Sequence, residues 1–338
     1  MLYLQGYNRM TRFVLTVAVW LIAIVAFAQA EADGQLYTVL ISGGRNRLTN
    51  HERYWNDCAL LYRTLRHTYH VPQRNIIVLM SDGGDPAEDM IRADGMGFVS
   101  SPVDLDGDGA ADVSGAATMD EVERTFFGLA QRMGRSDRLL VFIVDHGDSD
   151  DFVHDSYLWL WNNERLSDFS LDLLLGVADV CPACIVMGQC YSGGFVAELQ
   201  RDGRIVATAC SGSERSWACN DRPYDEFIYH WTCAVGGVDE DGNATDADAD
   251  DDGFVSMQEA FDYARSHDRR QETPQYASWP ETLGQHFTLG RLTDTGITPA
   301  HAATTPEGGC YTLSGQRLRE PPARGLYILN AGKKQIVR

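Results

Sequence analysis

The chain of 338 residues carries 28 basic against 48 acidic side chains, a formal net charge of −20, and 44% of its residues are hydrophobic. That length and composition fit a globular protein with one large domain or two ordinary ones. A surface this acidic repels nucleic acid, which excludes it as a partner, while its local acid clusters invite cations.

The first thirty residues differ from the rest. Arg9 and Arg12 precede the apolar run "FVLTVAVWLIAIVAFAQA", which ends in small residues suited to cleavage near Ala28 or Ala30. Residues 1–30 therefore read as a secretory signal peptide. The run is short for a transmembrane anchor and lacks a following basic stop, so the mature chain is expected to have no membrane span and to be secreted, periplasmic or held at the cell surface. Loss of two arginines and no acid takes the mature charge to −22.

From residue 36 the chain alternates apolar, β-branched runs with helical patterns. "LYTVLISGG" (36–44) predicts a strand that stops at glycines, and "ERYWNDCALLYRTLRHTYH" an amphipathic helix. "NIIVLMSD" (75–82) predicts the next strand and "MDEVERTFFGLAQRMG" (119–134) the next helix. "RLLVFIVDHG" (138–147), "CIVMGQC" (184–190) and "RIVATACSG" (204–212) predict three more strands. Helices are expected between them at "LSDFSLDLLLGVAD" and "GFVAELQRDG". Continuous apolar strands separated by helices predict an α/β fold, a mainly parallel sheet covered on both faces, with its chemistry just outside the carboxyl ends of the strands. This domain is expected to span residues 31–290, interrupted by acidic inserts at 101–115 and 239–259. A linker at 291–309 and a short β tail at 310–338 follow, the tail being similar to the end of sorting domains of secreted proteins.

Two of these strands run out into reactive side chains. One ends in Asp145-His146-Gly147, the other in Cys190-Tyr191-Ser192-Gly193-Gly194. If the strands are neighbours, a thiol and a base emerge on the same rim. A free thiol is mostly protonated at neutral pH, and a positioned imidazole can take its proton. The glycines allow a substrate backbone to come close, and the N–H groups of Gly147 and Cys190 are candidate donors to a developing oxyanion.

These segments resemble the caspase/legumain clan of cysteine peptidases, closest to its legumain-like, peptidase C13-like bacterial branch. "DHG" and "QCYSGG" look like its His-Gly and Cys motifs, and "TVLISGG", "NHERYWNDCALLYRTL", "NIIVLMSDG" and "TACSGSERSWAC" look like further legumain-like segments across residues 36–290. The resemblance implies a caspase-like α/β/α sandwich and a secreted endopeptidase acting on peptide or protein substrates. In it His146 is the general base and Cys190 the nucleophile. It also implies that Arg53 and Ser216 line the primary specificity pocket, with cleavage after Asn or Asp. The acidic residue that the family carries before the nucleophile is replaced here by Gly188-Gln189; Asp225 or Glu226 stand as replacements. A transpeptidase or transamidase of the same fold, and an inactive calcium-dependent binding protein, are the alternatives.

The insert "DADADDDGFVSMQEAF" fits an EF-hand-like calcium loop: Asp248, Asp250 and Asp252 at positions one, three and five, the Phe254 carbonyl at seven, Ser256 at nine and Glu259 at twelve. The upstream "DLDGDGAAD" offers Asp104, Asp106, Asp108 and Asp112 at similar offsets, with Gly115 at the twelfth position. Ca2+ is thus the expected cofactor, in a structural role, with no organic cofactor. "CPAC" (181–184) reads as packing or a local bridge.

Overall fold

The structure is a computed structural model that describes residues 34–150, 155–179 and 181–290, together with the backbone of four strands beyond residue 309. The expected signal peptide (1–30) and linker (291–309) lie outside the described residues. The chain divides into two compact units, Met1–Thr295 and Gly296–Arg338.

In the first unit the strands are β1 (Leu36–Ser42), β2 (Ile76–Met80), β3 (Met90–Ile91), β4 (Phe98–Val99), β5 (Arg138–Ile143), β6 (Gly147–Asp150), β7 (Asp155–Trp159), β8 (Arg165–Ser167), β9 (Ala183–Met187), β10 (Arg204–Thr208) and β11 (Gln275–Trp279). The helices are α1 (Glu52–Arg63), α2 (Met119–Ala130), α3 (Asp168–Val177), α4 (Phe195–Glu198), α5 (Glu226–Gly236), α6 (Met257–His267) and α7 (Leu283–His286). A six-stranded sheet in the order β11-β10-β9-β5-β1-β2 forms the centre. Its strands from β2 to β10 are all parallel, and only the edge strand β11 runs against its neighbour. This is the mainly parallel, two-sided α/β sandwich that the sequence predicts.

Alternate residues of each strand feed opposite layers. Leu40, Val78, Leu140, Phe142 and Val186 pack with α1, α5 and α6, while Val39, Ile41, Val141, Ile185 and Val206 pack with α2 and α3. Burial on both faces explains why these strands read as unbroken apolar runs. Cys184 and Cys181 belong to opposite layers, so the CPAC pair is packing and not a local bridge. None of the seven described cysteines is in a disulfide.

Chain order passes from β1 outward to β2, then returns to β5 on the other side of β1. The crevice at the carboxyl ends of β1, β5 and β9 is therefore a topological switch point. Several elements were not expected. "GFVAELQRDG" yields only the four-residue α4, because the chain turns through Gly203 at φ +86° into β10. Strand β11 is half-buried at all five positions and has no apolar alternation to announce it. A three-stranded sheet β6-β7-β8 follows His146, and β3 and β4 form a short hairpin. The second unit forms a four-stranded antiparallel sheet of β12 (Cys310–Tyr311), β13 (Arg317–Leu318), β14 (Gly325–Leu329) and β15 (Lys333–Val337), in the order β13-β12-β14-β15. Among the described residues no helix is long and apolar enough to cross a membrane.

One polar pair sits within this frame. Arg204 opens β10 with its side chain 1% exposed, and it bonds Asp172 of α3 at 2.5 Å. Removing the partner would strand a buried cation. Asp172→Ala is expected to cost about 3–5 kcal/mol in a urea-unfolding measurement; a loss below about 1 kcal/mol would show that Arg204 finds solvent or another partner.

Candidate active site

Strands β5 and β9 are hydrogen-bonded neighbours, and their last paired residues are Ile143 and Met187. His146 and Cys190 each follow three residues later. Equal overhang on adjacent parallel strands delivers both side chains to one rim.

The nucleophile candidate sits in a sharp turn. Tyr191 adopts a left-handed conformation at φ 59°, and its N–H donates to Glu214 O at 2.8 Å, which ends the strand direction and leaves Cys190 half-buried. The Cys190 thiol lies 3.9 Å from Ser216 O, and the Ser216 hydroxyl lies 3.7 Å from the sulfur. Gly147 backs directly onto this turn, since a Cβ there would come within 2.0 Å of Cys190 O. Only glycine fits. Trp159 N–H donates to His146 O at 2.9 Å, which makes Gly147 and Leu158 a non-hydrogen-bonded pair of the β6-β7 ladder. The Gly147 N–H therefore points away from β7.

His146 is held by its surroundings. Its Nε2 is 2.9 Å from Thr49 O, and a carbonyl only accepts, so Nε2 carries the proton and Nδ1 is the basic nitrogen. The Tyr54 hydroxyl is 3.3 Å from Nδ1. Tyr54 and His51 also meet the imidazole edge-on, at centroid distances of 5.4 and 5.5 Å. Burial holds the His146 pKa below its ordinary value, leaving the ring neutral near pH 7. Burial, and then the Arg53 charge, take His51 down to about 4. Asp145, buried between β5 and β1, accepts from Gly43 N, Gly44 N and His146 N at 2.5–3.0 Å and so ties the two strand ends together.

The two expected specificity residues are both near this centre. Ser216 touches the sulfur as described. Arg53, one helical step before Tyr54, pairs with Asp225 at 2.7 Å, donates to the Tyr54 hydroxyl at 3.0 Å and stacks on the Tyr54 ring. A cation and an anion thus stand side by side. Gln189 itself is fully buried. The signal that sequence reading missed is the Thr49 carbonyl, a backbone group to which no residue type gives a clue.

The acidic loops are only partly assembled. Asp248, Asp250 and Asp252 bring carboxylate oxygens within 4.8 Å of one another, as do Asp104, Asp106 and Asp108. Ser256 and Glu259 are instead engaged in a capping box at the start of α6, with the second Glu259 oxygen accepting from Ala249 N at 2.9 Å. Phe254 N–H donates to Asp252. Asp112 divides its carboxylate, accepting from Tyr62 OH of α1 at 2.5 Å and from Leu105 N within its own loop at 2.8 Å.

The model of the Peptidase C13 family matches residues 120–282, which include His146, Cys190, Ser216 and the Asp248 loop. No curated protein matches the chain. A crystal structure of a protein from Geobacter sulfurreducens is similar at 12% identity, over 72% of this chain and 93% of that one, with a TM-score of 0.42.

Behind Ser216, the Trp217 N–H donates to Glu272 at 2.9 Å. The other Glu272 oxygen and Asp268 Oδ2 are both buried with no hydrogen-bond partner among the described residues, and a proton shared between the two carboxyls would satisfy both. Burial first, and then Asp268, push Glu272 up to about 10 from an ordinary 4.5. A carboxyl raised on folding stabilises fully below its unfolded value, and the contribution is lost as pH rises through its folded one. Glu272→Gln keeps an acceptor for Trp217 and supplies a permanent donor to Asp268. It is expected to melt above the wild type at about pH 8 and to flatten the decline between about pH 5 and 9 in thermal scans; an unchanged decline would remove the shared proton from the description.

Proposed function

Because the chain belongs to the peptidase C13 family of cysteine peptidases and transamidases, we propose that it is an exported endopeptidase in which Cys190 is the nucleophile and His146 the general base. The observation that carries this reading is the equal overhang of His146 and Cys190 from paired strands, with Gly147 seated against the Cys190 carbonyl.

The imidazole and the thiol bond to other groups, not to each other, among the described residues. A scissile peptide unit entering between them reaches both. Nδ1 of His146 takes the thiol proton, while the Nε2–H bond to Thr49 O fixes the tautomer and replaces the orienting acid of a triad. The sulfur attacks the carbonyl carbon, and the N–H groups of Gly147 and Cys190 hold the oxyanion, each worth about 3 kcal/mol in the transition state. His146 then returns the proton to the leaving amine, and water releases the acyl-enzyme. Beneath the site, Arg53 and Asp225 offer a donor and an acceptor to the residue before the scissile bond. Since Asp225 already neutralises Arg53, the pair favours a carboxamide over a carboxylate, and so cleavage after Asn over Asp.

Calcium completes the proposal. The Asp248, Asp250 and Asp252 oxygens crowd together as an all-oxygen donor set suited to a hard cation, and Asp104, Asp106 and Asp108 form a second such set. A bound ion would offset the repulsion among these carboxylates and stiffen the loop that starts α6. Ser256 and Glu259 would join only by giving up their capping bonds. From α6 the chain runs through Asp268 to Glu272 and the Trp217 wall, so the ion acts on the shape of the site and takes no chemical part. The apolar run of residues 13–30 after Arg9 and Arg12, read as a signal peptide, supports export of this activity.

Two experiments test these readings. With peptides that contain internal Asn, Cys190→Ala and His146→Ala are each expected to lower kcat at least about a thousand-fold, and added amine nucleophiles will show whether the acyl-enzyme partitions to water or to amine. Retained cleavage in Cys190→Ala would dismiss the mechanism. A calcium chelator is expected to lower the melting temperature of the wild type, and to lower it less in the Asp248→Asn/Asp250→Asn double variant, which keeps only the second acidic loop. Equal responses of the two proteins would move the ion elsewhere or abolish it.

A further inference from the structure

On the far side of His146 from Cys190, two arginines converge on one ring. The Arg45 guanidinium lies 4.1 Å from the Trp159 ring centre and that of Arg165 4.6 Å from the same ring. Arg165 also covers Tyr157 at 4.4 Å, and Tyr157 meets Trp159 edge-on. Trp159 is anchored to the site itself, its N–H donating to His146 O at 2.9 Å. Arg45 is held by a further bond from Nε to Asn163 Oδ1 at 3.2 Å.

Acidic residues outnumber basic ones by 48 to 28, yet among the described residues neither Arg45 nor Arg165 belongs to an ion pair. Asp148, opposite Tyr157 in the ladder, accepts from Ser149 N at 3.0 Å and pairs with neither arginine among the described residues. Two cations beside one aromatic ring repel each other, and the ring lowers that cost without removing it. A carboxylate between them would remove it through two charge-assisted hydrogen bonds.

The strand order says where such a carboxylate comes from. Along the rim stand Ser216 beyond β10, Cys190 beyond β9, His146 beyond β5 and Arg45 beyond β1. His146 delivers its proton to the leaving amine, so the segment after the scissile bond runs past His146 toward Arg45 and Trp159. We propose that Arg45 and Arg165 form a specificity site for an Asp or Glu side chain within the first few residues of the leaving segment. This rests on the peptidase reading of His146 and Cys190.

The test uses matched peptides that contain one internal Asn followed by either Asp or Ala in the leaving segment. The wild type is expected to cleave the acidic peptides with about tenfold higher kcat/KM, an advantage that shrinks as salt rises to about 0.5 M. Arg45→Gln/Arg165→Gln is expected to lose the advantage while it cleaves the neutral peptide as before. Binding of the same labelled peptides to the Cys190→Ala protein, read by fluorescence anisotropy, reports on the arginines without turnover. Selective binding without cleavage in the wild type would sink the peptidase reading and keep the acid-binding site. Equal binding of acidic and neutral peptides, or a preference that survives in the double variant, overturns the inference.

Discussion

The parallel pairing of β5 with β9 is the constraint from which the site follows. With Ile143 opposite Met187, the two chains leave the sheet level with each other, and an overhang of three residues puts His146 and Cys190 on the same rim. A slip of one residue in this register would send one strand's side chains into the wrong layers, so the hydrophobic layers that fix the register also fix the placement of the pair. Phe142 and Val186 in one layer, and Ile143 and Met187 in the other, are all fully buried. The precision of a reactive pair is thereby borrowed from the packing of a core.

What surrounds the pair is mostly backbone. Asp145 spends its carboxylate on three main-chain N–H groups and locks β1 to β5. Thr49 offers a carbonyl that decides which nitrogen of His146 is basic. Gly147 has no side chain because Cys190 O occupies the space. Side-chain chemistry returns at the flanks, where Arg53 faces Asp225 on one side and Arg45 and Arg165 share Trp159 on the other. On the proposed reading, the cleft presents compensated charge before the scissile bond and positive charge outside any ion pair after it, on a molecule that is otherwise strongly acidic.

The sequence made the central sheet and the common rim of His146 and Cys190 legible for one reason. Strands buried on both faces are apolar throughout, and "LLVFIVDHG" and "CIVMGQC" show where each leaves the core. Residues whose roles depend on long-range backbone geometry were hidden. The Thr49 carbonyl has no side-chain signature, and β11 is half-buried along its length and so lacks any periodicity. The sandwiching of Trp159 depends on the β6-β7-β8 sheet, in which the polar β6 and the three-residue β8 are too short to be read in advance. In the acidic loops the spacing of aspartates was readable, but not the competition for Ser256 and Glu259 by a helix cap, nor the diversion of Asp112 to Tyr62.

The spatial relation of sulfur, imidazole and glycine is best tested by a crystal structure of the protein trapped with a peptidyl electrophile. The expected density joins Cys190 Sγ to the former carbonyl carbon, with the oxygen on the N–H groups of Gly147 and Cys190 and with His146 Nδ1 facing the leaving side. Attachment at another cysteine, or an oxygen turned away from Gly147, would contradict the arrangement.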